Sequence, residues 1–174
     1  MNPAWPHGVG ARGGLTHEGK QSMFRRTMFA AVATAALGAV VPVQAQQGQF
    51  GTAAEARAMF DRAVAAVKAD KAKALAAFNS GSDGFKDRDL YPFCANASDG
   101  VFTAHPALRG TQIRDLKDAA GNAFGEQILR AGSAEGQVNE VSYSFPRPGT
   151  TAPAPKVSYV TKVGDQVCAV GYYK

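Results

Sequence analysis

Apolar residues recur every three or four positions between Thr52 and Asn79. The stretch is rich in Ala, Lys, Glu and Arg, which are good helix formers. This period predicts a long amphipathic helix, with a break near Ala69-Asp70 that would divide it into a long and a short piece. Thr52, followed by Glu55 three residues later, matches a capping box at its start. The predicted buried stripe contains Phe60, Val64, Val67, Ala74, Leu75 and Phe78.

After residue 84 the helical spacing of apolar residues ends, and short segments with side chains on alternating faces predict strands. The strands are expected over 90–96, 101–106, 137–145, 156–163 and 166–173, with a turn at 97–100 and a short helix over 123–131. The first strand is apolar on both faces, which indicates that both faces are covered. Residues 107–122 and the Pro/Gly/Thr-rich segment 146–155 are predicted to be loops without regular pairing.

Residues 23–45 have the pattern of a secretory signal peptide. Two arginines precede a mostly alanine and valine run over 28–41, and small residues at 43–45 favour cleavage after Ala45. The run is shorter than the ~20 residues of an ordinary membrane span, and an uncleaved N-terminal anchor is the alternative. Residues 1–22 lack apolar periodicity and are interpreted as a disordered extension or a misassigned start. The domain is therefore expected over 46–174, in the periplasm or secreted.

The net charge gives no argument for nucleic-acid binding. The whole chain has 19 basic and 14 acidic residues, a formal charge of +5. Four of the basic residues and one acidic residue precede Gln46, so the predicted mature chain keeps 15 against 13, an excess of +2. It also lacks a Lys/Arg run with interleaved aromatic residues.

In order and spacing, several short motifs resemble a single Cache domain of the second type, the extracytoplasmic ligand-sensing module of bacterial chemoreceptors and kinases. The resemblance spans about Thr52 to Lys174. The matching stretches are 63–68, 74–79, 89–91, Asp99-Gly100, Ala104-His105-Pro106, 115–118 with Gly121, Tyr143 with Phe145-Pro146, 155–160 and 170–174.

The resemblance implies an α+β fold: a PAS-like five-stranded antiparallel sheet with a long N-terminal helix on one face and loops with a short helix over a pocket on the other. Family members bind small organic anions such as acetate, propionate or pyruvate. We therefore expect a non-enzymatic sensing module that signals through a membrane transducer, with a homodimer formed through the long helix. The alternative is a structural or interaction domain whose own side chains close the pocket.

The turn at 97–100 decides where His105 points. A type I turn with Gly100 as a left-handed bulge residue pairs Ala97 with Val101 and places Phe93 opposite His105, while Cys94 shares the other face with Phe102 and Ala104. A two-residue turn at Asp99-Gly100 instead places Cys94 opposite His105, where a thiol/imidazole pair becomes conceivable. The family pattern favours the first arrangement.

A small carboxylate needs fixed cationic or N–H donors. The candidate ligand contacts are His105 as a hydrogen-bond donor, Lys117 as the counter-charge, the hydroxyl groups of Tyr143 and Tyr159, and the walls Tyr91 and Phe93. For each residue a purely structural role is the alternative: a buried imidazole bonded to backbone, a solvated loop lysine, or a core aromatic residue.

The two cysteines, Cys94 and Cys168, permit one disulfide in an oxidising compartment. The family's sheet places their strands side by side, which favours a bridge; two inert buried thiols are the alternative. A metal site is not expected, because one histidine and two separated cysteines provide no closed ligand set. No cofactor is expected either.

Overall fold

The computed structural model describes residues 48–174. The predicted signal peptide at 23–45, its cleavage point and the extension at 1–22 lie outside the described residues. None of the helices within 48–174 has the length and apolar character that crossing a membrane requires.

The long helical stretch is divided as the sequence predicts. Helix α1 spans Ala53–Ala69 and helix α2 spans Lys71–Ser80. Thr52 and Glu55 form the predicted capping box, in which Thr52 Oγ1 accepts from the Glu55 amide and the Glu55 carboxylate accepts from the Thr52 amide. Asp70 ends α1 in an extended conformation, and its carboxylate caps α2 by accepting from the Lys73 amide. One residue therefore produces the break.

Five antiparallel strands form one sheet in the order β2-β1-β5-β4-β3. They are β1 (Pro92–Asn96), β2 (Phe102–Ala104), β3 (Asn139–Pro146), β4 (Pro153–Val163) and β5 (Gln166–Tyr173). Helices α1 and α2 cover one face. The opposite face carries a short 3-10 turn at Ile113–Asp115 and helix α3 (Phe124–Ala131). The predicted α+β fold with a five-stranded antiparallel sheet is confirmed.

The hairpin of β1 and β2 has the favoured register away from its turn but a different register next to the turn. Cys94 lies opposite Ala104, as in the first of the two turn arrangements. Near the turn, however, the Asn96 amide, not that of Ala97, donates to the Val101 carbonyl, and Ala95 lies opposite Phe102. One extra residue in β2 therefore turns Phe102 away from the Cys94 face, where it was expected. A bulge has this effect because facing alternates with every residue.

The prediction that residues 146–155 form a loop without pairing is wrong at both ends of that segment, at Pro146 and at 153–155. Pairing of β3 with β4 continues through Phe145 opposite Ala154 to Pro146 opposite Pro153. The fixed φ of proline fits an extended chain, and at the ends of strands its missing N–H removes little from the ladder. The connecting loop is therefore shorter than the sequence suggests, and Arg147 is its first residue.

Cys94 and Cys168 form the expected disulfide between β1 and β5, where the two residues are directly opposite each other. Both are buried, on the sheet face that packs against α1 and α2. The bridge joins positions 74 residues apart in the sequence. It fixes the centre of the sheet without entering the face that carries α3.

Candidate functional site

A small cavity lies between the sheet and the layer formed by α3 and the loops before it. The volume open to the centre of a water molecule is about 10 Å³, which is room for about one water. Most of the lining is aromatic or aliphatic, and two of its residues carry ionisable nitrogen atoms. The lining residues are Tyr91, Phe93, Phe102, His105, Leu108, Leu116, Phe124, Ile128, Tyr143, Phe145 and Lys156.

Lys156 is the principal polar group of this cavity. It lies near the start of β4, where its register partners are Tyr143 in β3 and Tyr173 in β5, so the three residues form a row across the cavity face. The residue is only 2% exposed. In the described part of the chain, its ammonium group makes one side-chain hydrogen bond, donated to the Tyr91 hydroxyl at 2.9 Å.

Aromatic rings surround the Lys156 ammonium group. Its Nζ lies 4.3 Å from the ring centre of Tyr91, 4.8 Å from Tyr173 and 5.5 Å from Phe145. Such rings partly compensate a cation, but Lys156 forms no salt bridge with a carboxylate of residues 48–174. Burial lowers the pKa of Lys156 to about 7, against a smaller raising effect of the Asp89 charge. The site is an ammonium group without an adjacent anion.

His105 presents a hydrogen-bond donor to the same cavity. Its Nδ1 accepts from the backbone amides of Ala107 at 3.0 Å and Leu108 at 3.1 Å. A nitrogen that accepts carries no proton, so in the neutral ring the proton is on Nε2. Burial, and then the nearby Lys156 charge, lower the pKa of His105 to about 3. The imidazole therefore stays neutral and acts as a donor through Nε2.

The remaining walls are held in place by contacts of their own. Tyr143 stacks on Phe124 with ring centres 4.4 Å apart, and its hydroxyl shares a hydrogen bond of 2.9 Å with Ser158 Oγ. The rings of Phe93 and Phe102 both lie within about 6 Å of the His105 ring. Aromatic packing of this kind fixes the shape of the cavity.

Four of the six predicted ligand contacts meet at this cavity: Tyr91, Phe93, His105 and Tyr143. The other two lie elsewhere. Lys117 is exposed and does not line the cavity. Tyr159 is on the opposite face of the sheet, where its ring packs with those of Phe60 and Tyr172. Tyr159 is three residues after Lys156, which lines the cavity, and residues three apart in a strand point to opposite faces.

Lys156 is not among the contacts predicted from the sequence. It stands at the start of the predicted strand, directly after the Pro/Gly/Thr segment predicted to be a loop, and a lysine there suggests solvent. The sequence does show that Lys156 lies two and four residues before Ser158 and Val160, so that all three share one face of β4. That face could be identified as the cavity face only once the register with Tyr143 was known.

The described residues offer little for other chemistry. Within 48–174, no group of three or more His, Cys, Asp or Glu residues is arranged to hold a metal ion. Both cysteines are in the disulfide, so the thiol/imidazole pair that the two-residue turn would have created is not formed. What the cavity can do is compensate one negative charge with Lys156 and donate one hydrogen bond from His105.

Comparisons with known proteins agree with this architecture. A family model described as Single Cache domain 2 matches residues 22–171. A methyl-accepting chemotaxis protein from Vibrio parahaemolyticus RIMD 2210633 is similar in structure, with 26% identity, a TM-score of 0.55, and coverage of 67% of this chain and 84% of that chain. No curated protein showed significant similarity.

Two further solved structures share the fold. A periplasmic sensor domain of a chemotaxis protein has 24% identity and a TM-score of 0.51, and covers 68% of this chain and 87% of its own. A Cache chemosensory domain, described in terms of carboxylic acid recognition, has 22% identity and a TM-score of 0.52, and covers 68% and 85% of the two chains. At these identities the likeness concerns the fold alone.

Proposed function

Because the chain belongs to the Single Cache domain 2 family, we propose that it binds a small organic anion, a short-chain carboxylate, outside the cytoplasm and reports it through a partner protein. The resemblance drawn from the sequence is thereby confirmed, and with it a role in sensing. The ligand class is the proposal. It depends on the chemistry of Lys156, because the neighbour that recognises carboxylic acids is too distant in sequence to assign a ligand here.

The observation that carries the proposal is the buried, unpaired ammonium group of Lys156. Burying a charge without a counter-ion is costly, and a domain that needed only a core would gain stability from an apolar residue there. A bound carboxylate would supply the missing negative charge. Lys156 thus takes the counter-charge role that was expected of Lys117.

The surroundings of Lys156 favour a short, singly charged acid. His105 Nε2–H and the hydroxyl groups of Tyr91 and Tyr143 are the further polar groups of the lining residues, and the rest of the lining is apolar. Each charge-assisted hydrogen bond contributes about 1.5–3 kcal/mol. Two or three of them correspond to binding in the millimolar to micromolar range. Acetate, propionate and pyruvate are the proposed ligands.

The cavity volume of about 10 Å³ favours a second candidate. In that interpretation the domain is a structural or interaction module whose side chains fill their own pocket. The two candidates differ in what they require of the cavity: binding of an acid requires the layer carrying Leu108, Leu116 and Phe124 to move outwards, whereas the closed module never opens.

The proposal extends to the setting of the domain. Export by the signal peptide at 23–45 would place residues 46–174 in the periplasm or outside the cell, where the related sensor domains of chemotaxis proteins act. A membrane transducer would receive the signal, and two copies would pair along α1. These parts are tested separately from the ligand class.

A thermal-shift screen of two- to four-carbon carboxylic acids tests the proposal. A ligand at 100 times its Kd stabilises the folded state by about 2.7 kcal/mol, so acetate, propionate or pyruvate should raise Tm by several degrees. Replacing Lys156 by methionine should remove the shift, whereas the same change at exposed Lys117 should leave it. If none of the acids shifts Tm, the closed module is the better description.

A further inference from the structure

Residues 50–52, which lead into α1, are held against residues 89–91, which precede β1. Asp89 Oδ1 accepts from the Gly51 amide at 2.7 Å, and Asp89 Oδ2 accepts from Arg147 Nη1 at 2.7 Å. Gly51 packs so closely on Leu90 that a β-carbon at position 51 would overlap its side chain. Residues 50–52 cannot move relative to 89–91 without breaking these contacts.

Arg147 connects this attachment to the wall of the cavity. Its guanidinium carbon lies 4.1 Å from the ring centre of Phe50 and 4.5 Å from that of Tyr173. The Tyr173 ring also lies 4.8 Å from Lys156 Nζ. Its hydroxyl donates to the Pro146 carbonyl at 2.6 Å, directly before Arg147. Tyr173 thus contacts the cavity lysine and the arginine that holds Asp89.

An electrostatic connection follows the same route. Asp89 is buried, and its negative charge raises the pKa of Lys156 while burial lowers it. An anion bound at Lys156 would add a second negative charge within the electrostatic reach of Asp89. Like charges repel strongly in a low-dielectric interior. The anion would therefore weaken the bonds that Asp89 makes to Gly51 and Arg147.

We propose that Asp89 and Arg147 form a latch that holds residues 50–52 against the domain while the cavity lacks an anion and loosens when a carboxylate binds at Lys156. The inference rests on the proposed function and adds the way in which the site is coupled to the start of α1. Coupling is reciprocal. Breaking the latch must therefore tighten binding of the acid.

A tryptophan introduced at position 50 reports the latch directly. Phe50 is 43% exposed and lies over Arg147, and the chain's single natural tryptophan, Trp5, is replaced by phenylalanine to leave one emitter. In this protein, W5F/F50W, we expect titration with acetate, propionate or pyruvate to change the emission of the introduced indole, with the same midpoint as calorimetry gives for binding.

Adding G51A, whose β-carbon would overlap Leu90 and displace residues 50–52 without changing any charge, should remove the emission change and tighten binding in calorimetry by about 5-fold or more, the lower end of typical coupling. The matched control is G48A, where an added β-carbon makes only an ordinary contact, and it should leave both readings unchanged. Should G51A fail to fold, hydrogen exchange at the Gly51 amide in the unaltered protein gives the same answer, because loosening accelerates it.

The outcomes separate the two proposals. Binding in calorimetry with unchanged emission from the W5F/F50W protein and unchanged Gly51 exchange overturns the latch and leaves the receptor function standing. Unchanged affinity in a folded G51A protein also overturns the latch. Absence of binding by every acid overturns the receptor function, and the latch with it.

Discussion

The side chain of Lys156 crosses over Gly171 of the neighbouring strand, so that a β-carbon at position 171 would overlap Lys156 Cε and Ser158 Oγ. Gly171 lies opposite Ser158 in the register of β4 and β5. Its backbone does not need a left-handed conformation, so its role is to leave space. The buried lysine is therefore possible because this strand position has no side chain.

The first prediction concerns G171A. The added methyl group should displace the end of the Lys156 side chain and cost about 1–3 kcal/mol of stability, as overpacking does. Loss of one charge-assisted bond to the ligand should weaken acid binding by about tenfold or more. Chemical denaturation and calorimetry measure the two effects.

A double-mutant cycle assigns these effects to Lys156. In K156A/G171A the methyl group no longer meets Lys156 Cε, so the part of the destabilisation that arises from Lys156 should disappear while the overlap with Ser158 Oγ remains. An equal cost in both backgrounds would show that Gly171 acts through Ser158 instead.

The second prediction is that K156M stabilises the domain while abolishing its response to acids. Replacing a buried charge by an apolar residue of similar length should add about 1–4 kcal/mol to the free energy of unfolding. The pKa of Lys156, about 7 in the folded state, lies below its ordinary value of 10.5. The extra free energy of unfolding that K156M has over the wild type should therefore be largest below about pH 7. It should decline between pH 7 and pH 10.5, because deprotonation of Lys156 removes the penalty for burying its charge.

K117M is the matched control, because Lys117 is exposed. It should change stability by less than about 0.5 kcal/mol, as surface substitutions usually do, and should keep the response to acids. A K156M protein that responds like the wild type would refute the counter-charge role of Lys156.

Much of the fold could be predicted from local sequence signals. The capping box at Thr52 and the break at Asp70 depend on side chains that bond to neighbouring backbone, so a short window of sequence contains the whole interaction. The strands of the sheet are likewise recognisable from alternation. The ends of β3 and β4 were not, since the composition of 146–155 indicates a loop and only pairing with the partner strand extends the ladder to Pro153.

The candidate site was predictable in part, for a related reason. Tyr91 and Phe93 follow from alternation along one strand, but His105 shares their face only because the extra residue in β2 restores the favoured register beyond the turn. Lys156 depends on the register of three strands and on the space above Gly171, which involve residues far apart in sequence. Lys117 was expected to supply the counter-charge, but the charge of a residue does not distinguish a solvated side chain from a buried one.

The third prediction is a pH dependence of ligand affinity. Short carboxylic acids stay ionised above pH 6, but Lys156, with a pKa of about 7, loses its proton as the pH rises. Affinity should therefore change little between pH 6 and 7 and then fall by up to about tenfold per pH unit, because binding takes up one proton. Calorimetry from pH 6 to 9 measures this; an affinity independent of pH would show that the acid does not bind at Lys156.

The fourth prediction concerns the disulfide. Cys94 and Cys168 close a loop of 74 residues, and the chain-entropy model assigns such a bridge about 4 kcal/mol. C94A/C168A should therefore lose about that much free energy of unfolding. Reducing agent should not change the Tm of this double variant. It should lower the Tm of the wild-type protein towards that of the double variant. A double variant as stable as the oxidised wild type would contradict the assignment.

The last prediction follows from the neutral imidazole of His105. Its pKa of about 3 in the folded protein lies below the ordinary value of 6.5. Between these values the unfolded chain binds a proton at His105 that the folded chain does not, so stability must fall as the pH is lowered. From pH 7 to 5 the loss at this residue should be about 2 kcal/mol. H105N, whose amide oxygen can still accept from the amides of Ala107 and Leu108, should lack this part of the acid sensitivity in urea unfolding. An equal loss in both proteins would mean that His105 is protonated in the fold, and its Nδ1 could not then accept those two bonds.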